Sequence, residues 1–236
     1  MIVVLFFALL SEPELDRIAD QLGSYPPLES IISINRQYLH YDAFNKAINL
    51  LQKYENTYQG VSQAKIEFAL AENYFFASRI IDARNKYLNM AQRHPASLEA
   101  NNALERLYQI EGMRADTVVM KKILYALCLL ATYRFDACID SLTRLTNSKI
   151  GDRVYYFLAS AYRQRSDLPM ALGALLSIKE QFPNSRIYEL PVLEAELYID
   201  SKAYDKARMI LENFLVKDPI SIYGVKARQL LEKIPE

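Results

Sequence analysis

A double recurrence at one interval constrains this chain more than any other feature of it. Ala171 and Ala207 lie 36 residues apart, and Pro183 and Pro219 are separated by the same 36 residues. A proline cannot continue a helix, and a small side chain lets two helices approach closely, so the pair marks two copies of one helical hairpin over residues 152–219. Leu158, Ala159, Tyr162 and Leu175 supply the apolar positions of the first copy. The interval returns upstream, where Ala47 and Ala83 are again 36 residues apart. One hairpin cannot bury its apolar face alone, so copies of this kind must stack and share a continuous core.

Taken in order, the chain shows where that register holds and where it slips. Residues 14–22 carry a short amphipathic pattern, Leu15, Ile18, Ala19 and Leu22, stopped by Gly23 and the Pro26 Pro27 pair. In residues 28–59 the core positions are Ile31, Ile34, Tyr38, Ala47, Leu51 and Tyr54, but Asn35 stands where a small residue is expected. Residues 64–95 match more closely through Leu70, Ala71, Tyr74, Ala83, Tyr87 and Pro95. The next turn alanine, Ala137, is 54 residues beyond Ala83, too far for one repeat, and an extra helix over 97–110 fills the gap. Pro219, Ser221, Ala227, Leu231 and Ile234 reproduce the mutual spacing of Pro95, Ser97, Ala103, Leu107 and Ile110, so each half is expected to close with such a helix. Asp116 is the expected N-cap of a buried apolar helix over 118–130, and Ala137 to Ala171, 34 residues, restores the register. Asp167 caps the following helix with Pro169 in its first turn. The expected organisation is an apolar segment over 1–11, a short helix and linker over 12–27, a two-repeat module with a closing helix over 28–112, and a three-repeat module with a closing helix over 113–236.

The offsets of Leu158, Ala159, Tyr162, Ala171, Leu175 and Pro183 resemble the tetratricopeptide repeat, TPR. The resemblance implies an all-α, TPR-like antiparallel helix-hairpin solenoid, a right-handed superhelix whose first helices line a concave groove that holds peptides, helices or subunits. Pro183, Asn184, Ser185 and Pro219, Ile220, Ser221 are similar to repeat starts of bacterial cell-envelope TPR proteins of the outer-membrane-assembly and Tol-associated kinds. Projecting the family's groove positions gives Lys65, Phe68, Glu72, Phe75 and Phe76 in one repeat and Arg153, Tyr156 and Arg163 in another. Two alternatives accompany this projection. Phe75 and Phe76 could fill the contact with the next hairpin, and Glu189, Glu196 and Asp200 could complement Arg153 and Arg163 within the chain. Lys122 matches one residue of the carboxylate clamp found in chaperone-binding relatives, but Ala126, Phe157 and Glu189 stand at the companion positions, which disfavours a chaperone-tail receptor.

Composition narrows the function classes. Lys plus Arg and Asp plus Glu are 28 each, so no net charge draws the chain to nucleic acid or an anionic membrane surface. Six scattered glycines offer no phosphate cradle. His40 and His94 share no metal-ligand spacing, and no Cys-x-x-Cys or Gly-x-Ser-x-Gly occurs, so no catalytic, cofactor or metal site is expected. Cys128 and Cys138 read as two buried thiols, with a disulfide as the alternative. The apolar run from Ile2 to Leu10 is too short to span a bilayer but suits the core of an export signal, with Ser11 as the small residue for cleavage. No Lys or Arg precedes it, and a buried first helix or an interfacial anchor are the alternatives. The expected protein is a non-enzymatic scaffold or adaptor for a protein or peptide partner, exported to the periplasm or cell envelope, with any membrane contact made through this segment. A self-assembling homo-oligomeric structural protein is the alternative function, behind it an all-helical enzyme, and the cytoplasm is the alternative location.

Overall fold

The computed structural model describes residues 9–235, so all but Leu9 and Leu10 of the apolar run on which the export reading rests lies outside the described residues. Thirteen α-helices and no strands occur among the described residues. They are α1 (Glu12–Asp20), α2 (Leu28–His40), α3 (Phe44–Tyr54), α4 (Gly60–Phe76), α5 (Ile80–Arg93), α6 (Leu98–Gly112) and α7 (Thr117–Ala131). After them come α8 (Phe135–Thr143), α9 (Gly151–Gln164), α10 (Leu168–Gln181), α11 (Leu190–Asp200), α12 (Tyr204–Lys217) and α13 (Gly224–Glu232). In chain order the helices form five TPR-like hairpins, α2/α3, α4/α5, α7/α8, α9/α10 and α11/α12, with α6 and α13 following the second and fifth.

The turn inside every hairpin is built the same way. Asp42, Ser78, Tyr133, Ser166 and Lys202 each have a positive φ, between 55° and 66°, at the end of the first helix. That left-handed residue ends the helix and redirects the chain. In four hairpins a backbone amide just beyond it closes onto a tyrosine carbonyl: Ala43 onto Tyr38 (2.9 Å), Arg79 onto Tyr74 (2.8 Å), Asp167 onto Tyr162 (2.8 Å) and Ala203 onto Tyr198 (2.7 Å). Carbonyls left unpaired at the helix end are thereby satisfied. Five positions after each left-handed residue comes a fully buried small side chain, Ala47, Ala83, Cys138, Ala171 or Ala207. This corrects the expectation for the third hairpin: Cys138 takes the small-residue position and Ala137 is exposed. A thiol is small enough to fit where alanine does, so the alanine-based register was one residue early.

The chain divides into two compact units, one holding the described residues up to Leu107 with Leu127–Tyr133, the other Tyr108–Ala126 with Arg134–Glu236. In the first unit Ile31, Ile34, Leu51, Tyr54, Ile66, Leu70, Phe75, Tyr87 and Met90 form the buried core. The irregular Asn35 is buried there, and its Oδ1 accepts from the Nδ2 of Asn73 at 2.6 Å, a polar tie between α2 and α4. Helix α1 begins at Glu12, two residues earlier than its apolar pattern suggests, because Ser11 and Glu14 close its first turn: the Ser11 amide and hydroxyl both donate to Glu14 Oε2, at 2.9 and 2.6 Å. Its polar face is fastened by Tyr38, whose hydroxyl donates to Asp16 Oδ1 at 2.9 Å, and by Lys46, whose Nζ lies 2.7 Å from Asp16 Oδ2 and 2.6 Å from Glu12 Oε1. Just upstream, the Leu10 amide donates to Gln37 Oε1 at 2.9 Å and its carbonyl accepts from the Tyr41 hydroxyl at 2.7 Å.

In the second unit Val192, Ala195, Ala207, Leu211, Phe214, Tyr223, Ala227 and Leu230 pack α11, α12 and α13 together. Asp116 Oδ1 accepts from the Val119 amide at 3.0 Å and Asp167 Oδ1 from the Met170 amide at 3.3 Å, the two caps expected of these acids. No disulfide joins Cys128 and Cys138; both thiols are buried, and burial pushes that of Cys138 up to about 12.

Candidate binding site

Most of the residues projected onto a groove have structural work inside their own unit. Phe75 and Phe76 are buried, with Phe75 stacked edge-on to Phe76 (5.8 Å) and Tyr87 (6.3 Å) and its face under the Arg106 guanidinium at 5.0 Å. Phe68 is half-buried with its ring 5.9 Å from that of Tyr87. Glu72 holds Arg106 in a two-pronged pair, 2.8 Å on each prong, and accepts from the Tyr87 hydroxyl. Phe75 and Phe76 therefore belong to the core, and the half-buried Phe68 and Glu72 pack beside them on the face that α5 and α6 meet.

The basic residues of α9 are likewise engaged. Arg153 is only 5% exposed; its Nη1 donates to Glu189 Oε1 at 3.0 Å and its guanidinium lies 5.7 Å from the centre of the Tyr108 ring. Arg153 is thus corrected from partner contact to buried ion pair. Burial raises the Glu189 carboxyl above its ordinary value, against the pull of Arg153 in the other direction. Arg163 is half-buried and bridges Glu196 (3.1 Å) and Asp200 (2.6 Å). Tyr156 packs its ring edge-on to Phe157 at 5.3 Å. Lys122 is exposed on α7.

Lys65 is different. It lines a cavity of about 520 Å³ in the first unit, a size suited to a bound segment or ligand. One wall is α2: Leu28, Ile32, Arg36 and His40 fall four apart and form a row along the helix, with Glu29, Ser33 and Gln37 beside them. Lys65 comes from the start of α4, Leu9 from the segment before α1, and Thr132 and Tyr133 from the turn after α7. The Arg36 guanidinium lies 5.8 Å from the centre of the Tyr133 ring, a cation–π approach at the cavity lip. Leu28 and Ile32 contribute aliphatic surface to the cavity, Arg36 and Lys65 two cations, and Glu29 one carboxylate.

The signal for this site was in α2 itself. Ile31, Ile34 and Tyr38 supply its core stripe, so Ile32 is an isoleucine off that stripe, followed at four-residue steps by a cation and a histidine. Among the described residues no helix is long and apolar enough to cross a membrane, and no group of three His, Cys, Asp or Glu is placed to hold a metal ion.

No protein-family model and no curated protein matches the sequence. Among solved structures, the chain is similar to one described as the "TPR2AB-domain:pHSP90-complex of yeast Sti1", at 14% identity and TM-score 0.43 over 95% of this chain and 90% of that one. It is also similar to one described as the "APC/C hetero-tetramer Cut9-Hcn1", at 14% identity and TM-score 0.44, where the match covers 94% of this chain but 46% of the other.

Proposed function

We propose that this protein is a non-enzymatic adaptor that holds a segment of a partner protein in the cavity along α2. The observation that carries this reading is the row Leu28, Ile32, Arg36 and His40, an ordered mixture of aliphatic and cationic side chains facing a cavity instead of another helix. The buried acids favour a scaffold over an enzyme, because they are matched with cations: Glu67 with Arg93, Glu189 with Arg153 and Glu196 with Arg163 and Lys226. Matched pairs of this kind fix the packing of helices. The apolar start of the chain and its Pro-x-Ser repeat starts support a place for the adaptor in a bacterial envelope assembly.

Site-resolved crosslinking tests both parts. Photoreactive residues at positions 33 and 40 are expected to capture one partner in the native cell, whereas position 229, exposed on α13, captures none of it. Equal capture from 33, 40 and 229 would sink the cavity reading. The mass of the mature N-terminus in the same sample tests export: a chain starting near Ser11 is expected, and an intact Met1 with cytoplasmic partners would overturn the location.

A further inference from the structure

We propose that the α2 cavity selects peptide segments that interleave aliphatic side chains with carboxylates, and that Tyr133 is set at its lip to contact them; the proposal rests on the adaptor reading above. Charge complementarity carries the first half. Five cations of the unit are matched, Lys46 with Glu12 and Asp16, Arg79 with Asp82, Lys86 with Glu55, Arg93 with Glu67 and Arg106 with Glu72, and none of these lines the cavity. Arg36 and Lys65 both line the cavity with no ion pair to a carboxylate among the described residues, and against the one lining acid, Glu29, they leave the cavity with an excess of positive charge. Beside them Leu28 and Ile32 offer apolar surface that a purely ionic ligand would leave wet. The row from Leu28 to His40 is about 18 Å long at 1.5 Å per residue, room for roughly five residues of extended chain. Two cations on two helices ask for carboxylates at separate points along the occupant, which a peptide supplies and a single-headed lipid does not.

Tyr133 carries the second half. Four of the five left-handed turn positions hold Asp42, Ser78, Ser166 and Lys202, short or unbranched polar residues; only this one holds a bulky aromatic, at φ 61°. The left-handed region brings Cβ against a carbonyl oxygen, and bulky residues are rare there. Tyr133 is 64% exposed, so most of its surface stands outside the core. Its ring lies beside Arg36 in the cavity lining, where it can cover an aliphatic side chain while Arg36 meets a carboxylate.

The test is selection of a displayed random decapeptide library on the full chain, followed by affinity measurements with the recovered peptides and their Asp→Asn, Glu→Gln versions. Recovered peptides are expected to alternate Leu, Ile or Val with Asp or Glu, and to bind about tenfold more weakly when the carboxylates are neutralised or in the R36Q/K65Q variant. Tyr133→Gly is expected to weaken binding several-fold while melting no lower than the parent, a combination that a merely structural tyrosine would not give. Lys202→Gly, the same change in an equivalent turn away from the cavity, leaves affinity unchanged. Ile32→Trp fills the cavity without altering charge and abolishes binding of every selected peptide. Recovered peptides without acids, or acidic peptides indifferent to R36Q/K65Q and Y133G, would overturn the proposal while an effect of Ile32→Trp keeps the cavity reading. Binding untouched by Ile32→Trp, or an empty selection, would remove both. Displacement of the peptides by a second copy of the chain, or by the acid-free octapeptide of residues 1–8, would make that the occupant and overturn the proposal.

Discussion

Asn35 looks like a flaw in its repeat and acts as a fastener. Its side chain and that of Asn73 are both buried, and the 2.6 Å bond between them joins the first helices of adjacent hairpins. Shifting α2 along α4 would leave two amides in an apolar core without partners, so the pair fixes register at some cost in stability. Asn35→Ala is expected to destabilise the protein by about 1–3 kcal/mol, mainly by stranding Asn73. Asn35→Ala with Asn73→Ala should cost clearly less than the two single changes added together, because the stranded partner is gone. Urea denaturation of the four proteins checks this, and strict additivity would show that the bond is not what holds the pair. The same residue scale shows where reading from sequence stops. Tyr38, Tyr74, Ala83 and Ala171 were legible because their spacing alone states their role. Whether Arg153 meets water or Glu189 depends on an acid 36 residues away and on the cover given by Tyr108, which no local pattern records.

At the scale of single elements, α1 is the helix held by charge. It buries Leu15, but its links to α2 and α3 run through Asp16, Tyr38 and Lys46. The hydrogen bond from Lys46 holds the Asp16 carboxyl below its ordinary value, and the Ser11 hydroxyl and amide do the same for Glu14. A carboxyl lowered by folding contributes stability above its unfolded pKa and loses it as pH falls through the folded value. Acidification through and below the ordinary carboxylate range is therefore expected to release α1 before the hairpins. Hydrogen exchange checks it: amides of Leu15 and Ile18 should lose protection while those of Leu70 and Leu158 keep it, and loss at all four together would refute a local release. Elements were also the level at which sequence reading succeeded best. The hairpins and both following helices were legible from the intervals, and α1 was displaced by two residues because its start is set by the Ser11 cap and not by its apolar stripe. The third hairpin was misregistered because an alanine was sought where Cys138 does the packing. The α2 cavity stayed hidden because a row of side chains reveals a site only once the neighbours that leave it uncovered are known.

Across the whole molecule, the two compact units should respond separately to local damage. Gly112 ends α6 within the second unit, and a Cβ built there would sit 2.5 Å from Arg153 Nη2. Gly112→Ala must displace a buried guanidinium from Glu189, at an expected cost of about 1–3 kcal/mol. Hydrogen exchange should then accelerate in α9 and α11 and remain unchanged in α3 and α4; equal acceleration in both sets would mean that the chain unfolds as one cooperative body. The repeated turns have a further consequence, which concerns how the protein is made. Most closely packed helix pairs within each unit are neighbours or next-but-one in sequence, α2 with α3 and α4, α9 with α10 and α11, although Arg36 of α2 also meets Tyr133 and Tyr108 of α6 meets Arg153. Contacts that local require little loop closure, which favours rapid formation. A ribosome adding 5–20 residues per second delivers a hairpin of this length in roughly 2–7 s. Within each unit a hairpin can therefore dock on its predecessor while the next is still being synthesised, and much of its apolar face need not wait for the end of the chain to be covered.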